Sequence, residues 1–182
     1  MNALRKYTWL LLVLLMSGLN SFVLAQAAWK PYSTSISFKI KNAGFNVDGS
    51  FKGFKGQLTF DPAALSSSSL NGSVEVGTIN TGNTKRDNHL RSDDYFDAEK
   101  YKLIEVHSKN LYKKGESFAG LFNVTIKDKT KQVEIPFDFS TNGDNGVFEG
   151  SFTIDRRDFG VGGNSLIMGD NVTISIVVNA KK

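Results

Sequence analysis

The chain of 182 residues has no cysteine and only two histidines. Without cysteine there is no disulfide, no thiol nucleophile and no residue to carry a lipid anchor behind a leader. The two imidazoles, His89 and His107, could be grouped with Asp87 and Asp93, but zinc sites draw three or four ligands at recognisable spacings and these match none. They read as ordinary polar histidines. No Gly-x-Ser-x-Gly elbow is present, and Gly160-Val161-Gly162-Gly163 lacks the spacing and the lysine of a phosphate loop. No cofactor, metal or catalytic constellation is therefore expected.

A large charge of one sign is missing too. The formal net charge is +4, of which Arg5 and Lys6 supply two, leaving the rest of the chain at +2. That is too mild to point to nucleic acid as a partner. The longest apolar run, Trp9 to Met16, is broken by Ser17, Gly18, Asn20 and Ser21, short of the roughly 20 residues a membrane-crossing helix needs. With Arg5 and Lys6 before it and Ala25-Gln26-Ala27 after it, the segment reads as a cleaved signal peptide over residues 1–27. Residues 28–182 then form one domain, expected in the periplasm or outside the cell.

What the domain does have is alternation of apolar and polar residues at period two, the mark of half-buried strands. Eight segments show it: Ile36-Phe38-Ile40, Phe54-Gly56-Leu58-Phe60, Val74-Val76, Ile104-Val106, Phe118-Gly120-Phe122-Val124-Ile126, Val133-Ile135-Phe137-Phe139, Phe148-Gly150-Phe152-Ile154 and Val172-Ile174-Ile176-Val178. This spacing predicts an all-β barrel or sandwich. An eight-stranded barrel is either just filled by its own side chains or just able to hold a small ligand. Gly56, Gly120 and Gly150 on apolar faces mark bends or leave room inside. Two segments break the pattern. Thr84 to Phe96 is polar, opens with the capping-box spacing Thr84-x-x-Asp87, and predicts one short helix after the third strand, with a further turn from Ser92. The glycine-rich stretch Phe159 to Asp170 predicts a loop, with a helical turn at Ser165 to Met168.

The run Thr81-Gly82-Asn83-Thr84-Lys85-Arg86-Asp87-Asn88-His89-Leu90-Arg91-Ser92-Asp93-Asp94-Tyr95-Phe96-Asp97 resembles the signature segment of YceI-like proteins. Phe38, Ile40 and Gly44 look like that family's opening strand, and Gly49 to Gly56 is similar to its G-x-F-x-x-F-x-G hairpin, followed by Phe60-Asp61-Pro62. Asp155 to Gly162 and Met168-Gly169-Asp170-x-Val172 match near the end, while Asn42 stands where many members carry histidine, so nothing is carried over to that position. The resemblance implies an eight-stranded antiparallel lipocalin-like barrel with an elongated apolar pocket for a polyisoprenoid or similar long-chain amphiphile. It also implies export and frequent homodimers.

The apolar faces then nominate the pocket wall. Phe38, Ile40, Phe60, Val76, Phe96, Ile104 and Phe122 come from the first half of the barrel, and Val124, Phe137, Phe139, Phe152, Met168, Ile174 and Ile176 from the second. Arg86, Asp87, His89 and Arg91 are candidates for the pocket mouth, where a quinone or phosphate headgroup would meet donors. Arg86 and Asp87 could equally pin the helix as a plug over one end. Two classes of function remain: a carrier or buffer for a long-chain amphiphile, or a self-filled barrel that serves as a structural or interaction module. Neither is an enzyme. The exported protein should begin at Ala28, and N-terminal sequencing that returns Met1 would overturn the leader assignment.

Overall fold

A computed structural model describes residues 28–182, so the leader assignment lies outside the described residues. Eight strands follow one another in order: β1 (Ala28–Asn42), β2 (Phe45–Thr59), β3 (Ser69–Asn80), β4 (Leu103–Lys114), β5 (Ser117–Ile126), β6 (Lys129–Asn142), β7 (Asn145–Asp155) and β8 (Met168–Lys181). Each pairs antiparallel with the next, and β8 returns to β1 to close the barrel. At the seam Ile36, Phe38 and Ile40 face Ile176, Ile174 and Val172. One helix, α1 (Thr84–Arg91), lies between β3 and β4.

Tight turns set the register of four hairpins. Ala43-Gly44, Gly115-Glu116, Lys127-Asp128 and Gly143-Asp144 each join strands whose flanking residues pair directly. The first residue of each turn has positive φ, the geometry whose twist matches that of the flanking strands. On the outside, hydroxyls meet across strands at Thr125–Thr130 and Thr153–Thr173, the polar complement of the apolar interior.

The Gly49–Gly56 stretch, read from its resemblance as a hairpin, is the interior of one strand. The β2–β3 register slips between Ser50 and Lys55, and Gly53 sits at φ 71°. One extra residue in a strand reverses which side chains point inward. Val47 and Phe51 line the interior before the bulge, and Phe54 and Leu58 line it afterwards. That explains the odd three-residue spacing of Phe51 and Phe54. A second slip, between Ser108 and Asn110, has the same effect in β4.

Gly56 and Gly120 do not open space, whereas Gly150 borders the interior cavity. A Cβ on Gly120 would meet the Asn110 carbonyl at 2.8 Å and Leu111 at 2.6 Å, and one on Gly56 would meet the Phe54 ring at 2.6 Å. They allow close approach of neighbouring backbone and rings. The stretch Ser165 to Met168, expected as a helical turn, is a bend in which the Ser165 hydroxyl accepts from the Ile167 and Met168 amides.

One end of the barrel is sealed by aromatic rings. Phe60, 0% exposed, stands between Phe118, Phe137, Phe139 and Phe148 with ring centroids 4.8–5.6 Å away, all near-perpendicular. Such edge-to-face pairs gain beyond their buried area. Trp29 packs edge-on to Phe139 and donates its indole N–H to the Phe60 carbonyl at 2.9 Å. Phe60→Ala should lower stability by about 3–5 kcal/mol, read as a lower urea midpoint with an unchanged slope.

Candidate functional site

Above this aromatic floor the barrel is hollow. A cavity of about 260 Å³ runs from Leu58, Phe137 and Phe148 up to Leu90, Tyr95 and Phe96 beneath α1. Its wall is built from inward positions of the strands: Ile36, Phe38 and Ile40 on β1, Ile104 and Val106 on β4, and Phe122, Val124 and Ile126 on β5. Phe152, Ile154, Ile174 and Ile176 complete it on β7 and β8. A groove lined by Asn42, Asn83, Lys85, Arg86, His89, Ser165 and Ile167 leads into it between α1 and the β7–β8 loop.

Of the expected wall residues, Phe38, Ile40, Phe96, Ile104, Phe122, Val124, Phe137, Phe152, Met168, Ile174 and Ile176 border the cavity. Phe60 and Phe139 do not, because their rings are spent on the floor. Val76 is buried but lies past the last β3–β4 pair, Glu75 with Leu103, where its amide bonds the Lys102 carbonyl under the crossover. Phe54 opens an alternating segment in the sequence but is not among the expected wall residues, and Phe51, which shares its face, falls outside the alternation because of the Gly53 bulge.

The mouth sorts the four polar candidates into two pairs. Asp87 is buried and turned away from the cavity, accepting from the Thr81 amide at 2.9 Å and the Thr81 hydroxyl at 2.5 Å. Arg91 reaches back to the Ile79 carbonyl at 3.3 Å and to Asn88 at 2.6 Å. Both staple α1 to the end of β3. The cap of α1 is Asn83, whose side chain accepts from the Arg86 amide, so Thr84-x-x-Asp87 is not a capping box. Asp87 is one position too late to close it and bonds Thr81 instead.

Arg86 and His89 face the groove. Arg86 donates through Nε to the Thr81 hydroxyl at 2.7 Å and through Nη2 to the Thr81 carbonyl at 2.8 Å. These bonds fix the guanidinium where it borders both groove and cavity. Among the described residues no carboxylate pairs with it. His89 packs edge-on to Tyr95 and lies 3.6 Å from Asp94, whereas His107 sits on β4 near Glu105.

The opposite bank of the groove is held by Arg156, which sequence patterning did not single out. It is 3% exposed and uses all three guanidinium nitrogens. Nε donates to the Gly169 carbonyl, Nη1 to the Val161 and Gly163 carbonyls, and Nη2 to Met168 and the Asp170 carboxylate. Next to it Arg157 bonds Asp155 and Asp170, and the hydrogen bonds that its side chain and amide donate to Asp155 hold that carboxyl below the usual carboxylate range. A lysine has one ammonium and cannot reproduce a planar fork. Arg156→Lys should therefore leave the β7–β8 loop under-tied, seen as faster protease cleavage between Val161 and Met168 and a melting temperature lower by several degrees.

With this geometry in hand, the similarities to known proteins fall into place. A UPF0312 protein of Photorhabdus laumondii is 31% identical over 131 residues, covering 68% of each chain, and one of Serratia proteamaculans is 31% identical over 133 residues, covering 69% of each. Among solved structures, BcnA of Burkholderia cenocepacia superposes with TM-score 0.78 at 27% identity, covering 81% of this chain and 96% of that one. A polyisoprenoid binding domain from Saccharophagus degradans shares the fold at TM-score 0.64 and 10% identity, over 86% and 99% of the two chains. The YceI-like domain profile matches residues 28–180, and the chain belongs to that family.

Proposed function

We propose that this protein is an exported binding protein that holds a long-chain amphiphile, a polyisoprenoid first among them, as a carrier or buffer. The observation that carries the reading is the apolar cavity inside the closed barrel, with the Arg86 guanidinium fixed at its mouth. Apolar surface withdrawn from water is worth about 25 cal/mol per Å², and ordering a flexible tail offsets part of that gain. A preformed wall of Ile, Val and Phe offers such a chain an apolar complement. A solved polyisoprenoid binding domain of the same fold supports an isoprenoid as the occupant to test first.

Headgroup chemistry follows from the mouth. Arg86 is held in place by Thr81 yet unpaired with any carboxylate among the described residues, so it suits a phosphate or a quinone oxygen. His89 is a neighbour on the same groove, while Asp87 and Arg91 act on the helix. The self-filled alternative applies to the floor, where Phe60 and its neighbours fill the section, and not to the space above it. Export is supported by the leader-like residues 1–27 and by the family match beginning at Ala28.

Organic extraction of the freshly purified protein followed by mass spectrometry should return a long-chain amphiphile. Ile174→Trp, which projects an indole into the middle of the cavity, should remain folded and lose that occupant. Arg86→Gln should weaken an anionic-headed prenyl chain by about tenfold or more, the value of one charge-assisted hydrogen bond, and leave a neutral prenol unaffected. A wild-type protein that yields no lipid from a prenyl-rich host would defeat the reading.

A further inference from the structure

Large apolar side chains are exposed at the open end of the barrel, in two loops that touch. Leu166 is fully exposed, Phe45 is 77% exposed and Ile167 64%. The Ala43 amide donates to the Ile167 carbonyl at 2.7 Å, and Asn42 pairs with Met168, so the β1–β2 turn and the β7–β8 loop form one tip. Arg156 anchors the loop side of that tip through the Gly163 and Met168 carbonyls. Isolated exposed hydrophobics are ordinary, but adjacent ones rimmed by polar residues mark a contact surface.

The tip stands beside the way into the cavity. Ile167 and Met168 line the groove on one bank, and Lys85 and Arg86 line it on the other. Lys41 enters the same tip, its backbone within 3.3 Å of where a Gly169 Cβ would stand. Lys41 and Lys85 are exposed, and among the described residues neither has a carboxylate at ion-pair distance. Two free ammonium groups beside three exposed apolar side chains are complementary to a surface that is greasy beneath and anionic on top.

We propose that this tip, Ala43–Phe45 with Leu166–Ile167, docks the open end of the barrel on an anionic lipid bilayer. The inference rests on the reading of the cavity as an amphiphile site, and it supplies what that reading lacks, a route for the occupant. A long apolar chain crossing water exposes every CH₂ to solvent at a cost that grows with its length, so free exchange through solvent is slow. A tip inserted at the headgroup level places the groove against the phase in which such chains dissolve. Phe45 and Leu166 then anchor the contact, and Lys41 and Lys85 give it its preference for negative charge.

The test is flotation of the chain beginning at Ala28, which contains every described strand and the whole buried core. The probes are vesicles of phosphatidylcholine with and without phosphatidylglycerol. Wild type should float with the phosphatidylglycerol vesicles and release them at high salt. Phe45→Ser with Leu166→Ser should reduce binding about tenfold, as partitioning falls with the apolar area inserted, with no change in melting temperature. Lys41→Glu with Lys85→Glu should remove the preference for phosphatidylglycerol. Failure of the wild type to float, or equal flotation of the Phe45→Ser, Leu166→Ser variant, overturns the proposal. So does a wild-type dimer in sedimentation that this variant dissociates without any vesicle binding, which would make the tip a face for a second copy. Lipid extraction of the same samples keeps the two claims apart. Protein that carries an amphiphile but does not float defeats the docking alone, and protein that floats but carries none supports docking while defeating the cavity reading.

Discussion

The edge-to-face packing of rings around Phe60 is the constraint on which the rest of the barrel depends. A closed sheet of eight strands has a section that side chains can only just fill, and at one end five large aromatics fill it. Phe60 comes not from a facing strand but from the residue that follows β2, as the chain leaves the barrel toward Asp61. The Trp29 indole fixes that departure by bonding the Phe60 carbonyl, so the plug is held by its backbone as well as its ring. Because this end is solid, the other can be empty without collapse of the whole section.

The open end relies on polar fastening. The crossover with α1 is tied by Arg86 and Arg91 to backbone carbonyls and by Asp87 to Thr81, and the β7–β8 loop is tied by Arg156 to backbone carbonyls and to the Asp170 carboxylate. Buried polar groups are costly unless satisfied, and no buried side-chain nitrogen or oxygen lacks a partner among the described residues. The Gly162 amide joins the two banks by donating to the Asp94 carbonyl, and the groove lies between them.

The strands were legible because antiparallel sheets with one buried face write their alternation directly into the chain. Ile36 to Ile40 and Phe118 to Ile126 needed nothing more. Legibility failed where backbone geometry intervened: Gly53 turns Phe51 and Phe54, three apart, onto the same face, and a reading by period two splits them. Phe60 and Phe139 looked like wall residues because alternation gives a side chain's face and not its height along the barrel. At the mouth, Arg86 and Asp87 are neighbours in sequence and both bond Thr81, yet one borders the cavity and the other is buried against β3. Arg156 lies in the matched Asp155 to Gly162 stretch, but its role was not legible there, since its task is to collect carbonyls, and carbonyls are present at every residue.

Closure has a consequence for how this molecule meets others. Unpaired strands at a sheet boundary offer backbone amides and carbonyls to any passing chain, and much association and aggregation of β proteins runs through them. Here β1 bonds both β2 and β8, and among the described residues the circuit has no boundary strand to extend. The ladder does slip along β2 and β3, but Thr78 occupies that gap, its hydroxyl accepting from the Lys52 amide. Strand addition is thereby closed as a mode of recognition. A partner of any kind must be read by side chains on the hydroxyl-rich outer wall or by the loop tips at the ends, so association can change by surface substitution while the backbone network stays untouched.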